Sequence, residues 1–292
     1  MNLRSRISSA VNRTVLGDLL TRAAEWWYGS RYPQALHGRC NVAVRSEPKG
    51  GVLVVAAHPD DEVLGNGLTM IKHRARGERV VVVFATNGAG GNWRDGIGAG
   101  SGLAARRFSE ACAALGEIGI PAQDVVCLGF PDGGLQRYVR EAARDIERLL
   151  LDCAPRVVYV HALEGGHLDH DMTSYIVQSL CARQGLRNVY EWCEYNRDAP
   201  LGQSPREARF AADPYLPNFE RRMMESTDEE RQIKLRMLTH YASQAGIIAQ
   251  YPFQSEGLRA AVAGRLRDRL RYFSGLSRLR LALVCGRVRP AR

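Results

Sequence analysis

The regular alternation of short apolar runs with helix-length stretches restricts this chain more than any other feature. Gly51–Ala57 reads Gly-Val-Leu-Val-Val-Ala-Ala, and Arg79–Thr86, Asp124–Leu128 and Arg156–His161 are further runs of the same kind. Apolar, β-branched runs of this length suit strands covered on both faces. Residues 62–76, 103–115, 136–151 and 171–183 carry helical patterns between and after them, and Asn188–Tyr195 offers a fifth strand. This repetition predicts an α/β fold, a Rossmann-like and mostly parallel sheet with helices on both faces. Ligands of such sheets bind beyond the carboxyl ends of the strands.

The flanks differ in character from the middle. Leu3, Ile7, Val11, Val15 and Leu19 predict an amphipathic helix over 3–28. The expected division is an N-terminal helical extension over 1–50, an α/β domain over 51–255 and a basic helical tail over 256–292. Residues 227–250 are expected to form one further helix. The net charge of +9 sits at the ends: 1–50 carries +5, 256–292 with its ten arginines +8, and the middle −4. A nucleic-acid enzyme concentrates cations beside its working site, so no nucleic acid is expected as partner. The basic termini, with Trp26, Trp27 and Tyr28, instead suit peripheral contact with an anionic membrane. Core packing or a homo-oligomer interface explains the apolar stripe of the tail equally well. Seven scattered cysteines without a C-x-x-C exclude a zinc ribbon and a disulfide framework and point to a reducing cytoplasm. There is no run long enough to span a bilayer and no signal-peptide pattern after Arg4, Arg6 and Arg13. The expected location is cytoplasmic, with the inner membrane face as the surface for any contact.

Two clusters can carry chemistry. His58-Pro59-Asp60-Asp61-Glu62 follows the first strand, and Glu164-Gly165-Gly166-His167-Leu168-Asp169-His170-Asp171 follows the fourth. Taken alone, the first is an ordinary strand–helix turn in which Asp60 or Asp61 caps a helix, and an isolated H-x-x-H carries little information. Together they lie at the same edge of one predicted sheet. Adjacent carboxylates repel unless a cation sits among them. The pair supplies two histidines and a carboxylate, the ligand set of a catalytic zinc or ferrous site with an open position. A spare aspartate can serve as general base, and a spare histidine can stabilise or protonate an oxyanion.

With Leu128-Gly-Phe-Pro-Asp132-Gly-Gly between them, these motifs resemble the PIG-L/LmbE-like family, the GlcNAc-PI de-N-acetylases, over roughly residues 50–250. The resemblance implies a Zn2+-dependent deacetylase, with Fe2+ as the other candidate metal. Its substrate would be a small-molecule or lipid-linked amino sugar. It implies His58, Asp61 and His170 as metal ligands, Asp60 as general base, His167 as the group that polarises substrate, and Asp169 as a partner orienting a ligand histidine. Arg107, in an R-x-x-E stretch with Glu110, and Asp132 are implied substrate contacts. The chain departs from the mycothiol-type members, which carry a tyrosine just before H-x-D-H where Glu164-Gly165-Gly166 stands here.

The loop over 87–102 is rich in glycine but matches no phosphate-binding pattern. It is expected to rim the site, with Trp93 stacking on a sugar. His161, His73 and His240 lack a motif partner and are read as structural, although His240, Ser243 and Gln244 form a stretch similar to one in the family. The competing readings are an amidase acting on another N-acyl amine or thiol conjugate, and a non-catalytic Rossmann-like binding module.

Overall fold

The computed structural model describes residues 32–44, 49–90, 101–199, 209–217, 219–251, 256–276 and 278–288, with Leu19, Ala23, Trp26, Trp27 and Ser30. The helix predicted over 3–28, those isolated positions apart, lies outside the described residues. So does Trp93 with most of its loop.

Strands and helices alternate as the sequence predicts: β1 (Val52–Ala56), α1 (Asp61–Ala75), β2 (Val80–Thr86), α2 (Ser101–Gly116), β3 (Val125–Phe130), α3 (Val139–Cys153), β4 (Val157–His161), α4 (Leu168–Arg183) and β5 (Val189–Trp192). After them come β6 (Arg222–Met223), α5 (Asp228–Thr239), β7 (Gly257–Ala260), α6 (Leu266–Phe273) and α7 (Arg278–Arg287). The sheet order is β3-β2-β1-β4-β5-β7-β6. The strands from β3 to β5 are parallel, and β7 runs antiparallel to β5 and β6.

Every residue of β1 and β2 is buried, which explains their unbroken apolar character. One face, with Leu53, Val55, Val81 and Val83, packs on Ile146 and Leu149 of α3 and Ile176 and Leu180 of α4. The other, with Val52, Val54, Val82 and Phe84, packs on Leu64 and Leu68 of α1, Leu115 of α2 and Met237 of α5. Each such side chain contributes about 1.5–3 kcal/mol when fully buried. β1 has β2 on one side and β4 on the other, so the strand order reverses beside it. That reversal opens a crevice at the carboxyl ends of β1 and β4, where both histidine-bearing clusters emerge.

Four differences from the sequence reading stand out. The stretch from 256 begins not as a helix but as β7, which closes the sheet against β5, and Leu266, Leu270, Leu281 and Val284 join the main core. A four-residue strand with an arginine in it gives too short an apolar alternation to read. Two of the tail's arginines are interior: Arg259 and Arg269 both meet Glu191 of β5, and Arg269 Nε lies 2.6 Å from Asp213 Oδ2. Burial disfavours the Glu191 carboxylate, but the two arginines outweigh it and hold its pKa at about 2. The helix expected over 227–250 ends at Thr239, where the chain turns to send Tyr241 inward onto Glu62. The fifth strand stops at Trp192 rather than Tyr195. Among the described residues, no helix is long and apolar enough to cross a membrane.

A chain ending at residue 255 would leave Glu191 buried without its cations, and a broken buried pair costs about 3–5 kcal/mol. Such a truncation is expected to lose its cooperative urea transition. A cooperative transition with the full-length midpoint would show the terminal segment to be dispensable.

Candidate metal centre

Each chemical side chain sits where a strand ends. His58 follows β1, His161 closes β4, His167 caps α4, and Glu194 and Tyr195 follow β5. Asp132 lies in the turn after β3. Asp60 occupies the N-cap position of α1 with φ at 131°, and its side chain makes no capping bond. A non-glycine residue held there is strained by about 1–3 kcal/mol and persists only where its surroundings impose it. Here Glu62 accepts the Asp60 N–H at 3.0 Å, and Arg107 Nη2 reaches Asp60 Oδ2 at 3.0 Å. Arg107 is itself anchored on the carbonyls of Pro59 and Gly88, both at 2.6 Å. It does not pair with Glu110 within the R-x-x-E stretch. Glu110 pairs with Arg106 and with Ser243 instead.

Asp61 Oδ2 is the meeting point of the cluster. It accepts the His58 backbone N–H at 2.8 Å and lies 3.1 Å from His58 Nδ1. His161 Nε2 and His170 Nε2 each stand 3.3 Å away. Donor atoms within 4.8 Å of one another form three overlapping groups: His58, His167 and His170; Asp61, His161, His170 and Glu194; and His58, Asp132 and Asp169. His170 Nε2 is buried with no hydrogen-bond partner. None of the three groups joins His58, Asp61 and His170, but Asp61 Oδ2 lies 3.1 Å from His58 Nδ1 and 3.3 Å from His170 Nε2, and two imidazoles meeting one carboxylate oxygen at these distances fit the divalent cation that the resemblance implies.

The other predicted residues surround this set. Asp169 is fully buried, and its carboxylate accepts the N–H groups of Gly133 and Leu135 at 2.6 and 3.1 Å. It lies 3.4 Å from His58 Nε2, and Asp132 Oδ1 lies 3.2 Å from the same atom. Asp132 also accepts the Gly90 N–H at 3.0 Å. His167 Nδ1 accepts the Asp169 N–H at 3.2 Å, so its neutral ring carries the proton on Nε2. A cavity of about 210 Å³ opens over His58, Asp60, Asp61, Arg107, Asp132, His167 and Tyr195. A larger groove of about 600 Å³, near Tyr159, Tyr190 and Arg156, lies at the opposite strand ends. No potential metal cluster occurs there among the described residues.

Electrostatics divides the titratable groups. Burial raises the Asp60 pKa to about 7, with Arg107 pulling against it and Asp61 reinforcing it. Burial would raise Asp61 too, but the surrounding histidines hold it well below the carboxylate range. His167 falls to about 4 through burial and the neighbouring His58. Burial and His170 bring His161 to about 3. Burial lifts Glu62 to about 8 against its bond from Tyr241.

Three residues of this cluster are not among those the motifs point to. His161, read as structural, is buried in the cluster with its ring stacked on His170 at 3.9 Å. Glu194 faces both rings, and Tyr195 lies 5.2 Å from His170. The position of His161 at the end of β4 was the available signal. His73 bonds Glu78 and Tyr159, and His240 bonds Glu117 at the surface. Of the stretch after His240, Gln244 lines the cavity. Two glycines make the close packing feasible. A Cβ on Gly65 would stand 2.1 Å from Trp192 Cδ1, and one on Gly166 would stand 2.2 Å from the Tyr195 carbonyl oxygen.

Residues 53–181 match the PIG-L family, described as GlcNAc-PI de-N-acetylase. The chain is 30% identical over 148 residues to the 1D-myo-inositol 2-acetamido-2-deoxy-alpha-D-glucopyranoside deacetylase 2 of Catenulispora acidiphila, which covers 43% of this chain and 48% of that protein. It spans about half the length of the curated relatives it matches. Among solved structures, the A40926 pseudoaglycone deacetylase Dbv21 superposes with a TM-score of 0.58 at 19% identity, over 73% of this chain and 98% of that one. The N,N'-diacetylchitobiose deacetylase of Pyrococcus horikoshii gives 0.53 at 22% identity, over 72% and 83%. Both share the fold.

Arg107→Ala would strand the buried Asp60 carboxylate, and remove a cation from the half-buried Asp132, and is expected to destabilise the protein by about 3–5 kcal/mol. Arg106→Ala, removing a half-exposed pair, should change stability by less than about 1 kcal/mol. Urea unfolding of the two variants checks this, and equal effects would contradict the assignment.

Proposed function

From the match of residues 53–181 to the PIG-L family and the geometry of the cluster, we propose that this protein is a divalent-metal-dependent N-deacetylase, zinc being the metal expected. It hydrolyses the N-acetyl amide of an amino sugar or glycoconjugate. The observation that carries the reading is the convergence of His58, His170 and Asp61 Oδ2 beside a strained, arginine-held Asp60. A binding module has no use for a strained carboxylate that forgoes its capping bond.

In this reading His58, Asp61 and His170 hold the cation. Bound there, it supplies the Lewis acidity that activates a water and polarises an amide carbonyl. Asp60 accepts the proton of the attacking water, with Arg107 keeping its carboxylate turned towards the cavity. His167, neutral and capping α4, offers its Nε2–H to the carbonyl oxygen as negative charge develops. The proton held by Asp60 is the one the leaving amine needs, which closes the cycle without a further acid. Asp169 braces His58 from behind through its ties to Gly133 and Leu135. Asp132 and Tyr195, at the cavity wall, are placed to meet substrate hydroxyls.

The reading extends to a cytoplasmic location and to peripheral contact between the basic ends and anionic lipid. Support comes from the charge distribution and from Trp26 and Trp27, which are exposed. Co-sedimentation with vesicles should rise with their phosphatidylserine fraction, and indifference to that fraction would remove the membrane contact.

The activity is tested on protein purified without a metal-binding tag. Near-stoichiometric zinc or iron is expected by plasma mass spectrometry, and His170→Ala should lose it. Asp60→Asn should keep the metal while kcat for amine release falls by about 10²–10⁴. An acetylated-sugar panel assayed beside N-acyl thiol conjugates separates an amino-sugar deacetylase from a broader amidase. Metal that His170→Ala leaves untouched would defeat the assignment of ligands.

A further inference from the structure

Glu194 has no part in the reading above, yet it lies against the centre and is completely enclosed. Its side chain is 1% exposed, and Oε2 has no hydrogen-bond partner. Oε1 is fixed by the indole N–H of Trp192 at 3.1 Å. Oε2 then faces two imidazoles, with His170 Nδ1 at 3.7 Å and His161 Nδ1 at 3.9 Å. The two rings lie nearly parallel, 22° apart, and present the same edge to one carboxylate.

The tautomers follow from the far side of each ring. His161 Nε2 accepts the Ala57 N–H at 3.0 Å, so the proton of its neutral ring is on Nδ1. His170 turns Nε2, which has no hydrogen-bond partner, towards Asp61. Coordination through Nε2 puts the His170 proton on Nδ1 as well. Both Nδ1–H groups then lie on the ring edges nearest Glu194 Oε2. A cavity of about 10 Å³ lies among His161, His170, Trp192, Glu194 and Tyr195, room for about one water, which can carry a contact across separations of this length. The glycine at position 65 serves the same arrangement, since a Cβ there would come within 2.8 Å of Glu194 Oε1.

We propose that Glu194 is a positioning residue for the metal centre, a buried carboxylate that receives the Nδ1–H of His170 and of His161 and so fixes the ring that coordinates through Nε2. The inference rests on the reading of His58, Asp61 and His170 as metal ligands. Carboxylates behind ligating histidines fix the tautomer and raise the basicity of the coordinating nitrogen.

The test is zinc affinity measured by competition with a chromophoric chelator, with the melting temperature of the metal-free protein measured alongside. Glu194→Gln keeps the shape and loses the charge. It is expected to bind zinc about 10–100-fold more weakly while the metal-free protein melts close to wild type. Glu194→Asp, which keeps the charge but withdraws it by one methylene, is expected to fall between the two and carries the test if the glutamine variant does not fold. Zinc affinity within about twofold of wild type in the variants that fold would overturn the proposal. So would a lowered metal-free melting temperature with unchanged affinity, the mark of a purely structural role. A wild type that binds no zinc, or a His170→Ala variant that binds it normally, would instead overturn the underlying assignment of ligands.

Discussion

A single carboxylate oxygen, Asp61 Oδ2, lies within 3.3 Å of nitrogens from three imidazoles and takes a backbone N–H as well. An isolated buried carboxylate is strongly disfavoured, so this atom must be surrounded by groups that hold or share positive charge. The rest of the upper sheet edge is arranged around it. β1 delivers His58, β4 delivers His161, α4 begins at the point that turns His170 inward, and Asp132 and Asp169 face His58 from the other side. Several like-charged groups this close are tolerable without a cation only if protons redistribute among them, and the opposed pKa shifts of Asp60 and Asp61 express that tension.

A second buried charge cluster supports the first from below. Glu191, next but one to Cys193 on the strand that leads to Glu194 and Tyr195, is matched by Arg259 and Arg269, and Arg269 binds Asp213 in turn. Glu164, at the foot of the histidine loop, takes Asn196 Nδ2 and the Ala211 N–H, both at 2.7 Å. The irregular segment around residue 211 and the C-terminal elements are thus tied to the strand ends that carry the chemistry. A buried carboxylate is costly unless a cation pairs with it, and Glu191 has two. That accounts for arginines deep in a segment that otherwise reads as a basic surface.

The alternating pattern made the parallel sheet readable because each strand is covered on both faces and each crossover helix is long. The motif residues were readable because two short clusters fell after strands that proved to be neighbours. What escaped was of another kind. His161 and Glu194 act through the rings and strands beside them, and no spacing in the chain records that relation. β7 escaped because it is four residues long and antiparallel, so its identity depends on β5 rather than on its own composition. The helix after residue 227 ended early because Tyr241 gains a buried partner in Glu62, which outweighs the propensity of the stretch to continue.

The backbone at Asp60 has an implication for engineering. Its φ of 131° belongs to a region that glycine enters freely and other residues do not, and the strain there is of the order of 1–3 kcal/mol. Conformational preference and chemical need therefore pull in opposite directions at one position. A library selected for thermal resistance alone would be drawn towards glycine there, trading away the carboxylate that Arg107 holds over the cavity at 3.0 Å. Durability and turnover in this scaffold are competing phenotypes at that residue, so selection for one must be accompanied by a screen for the other.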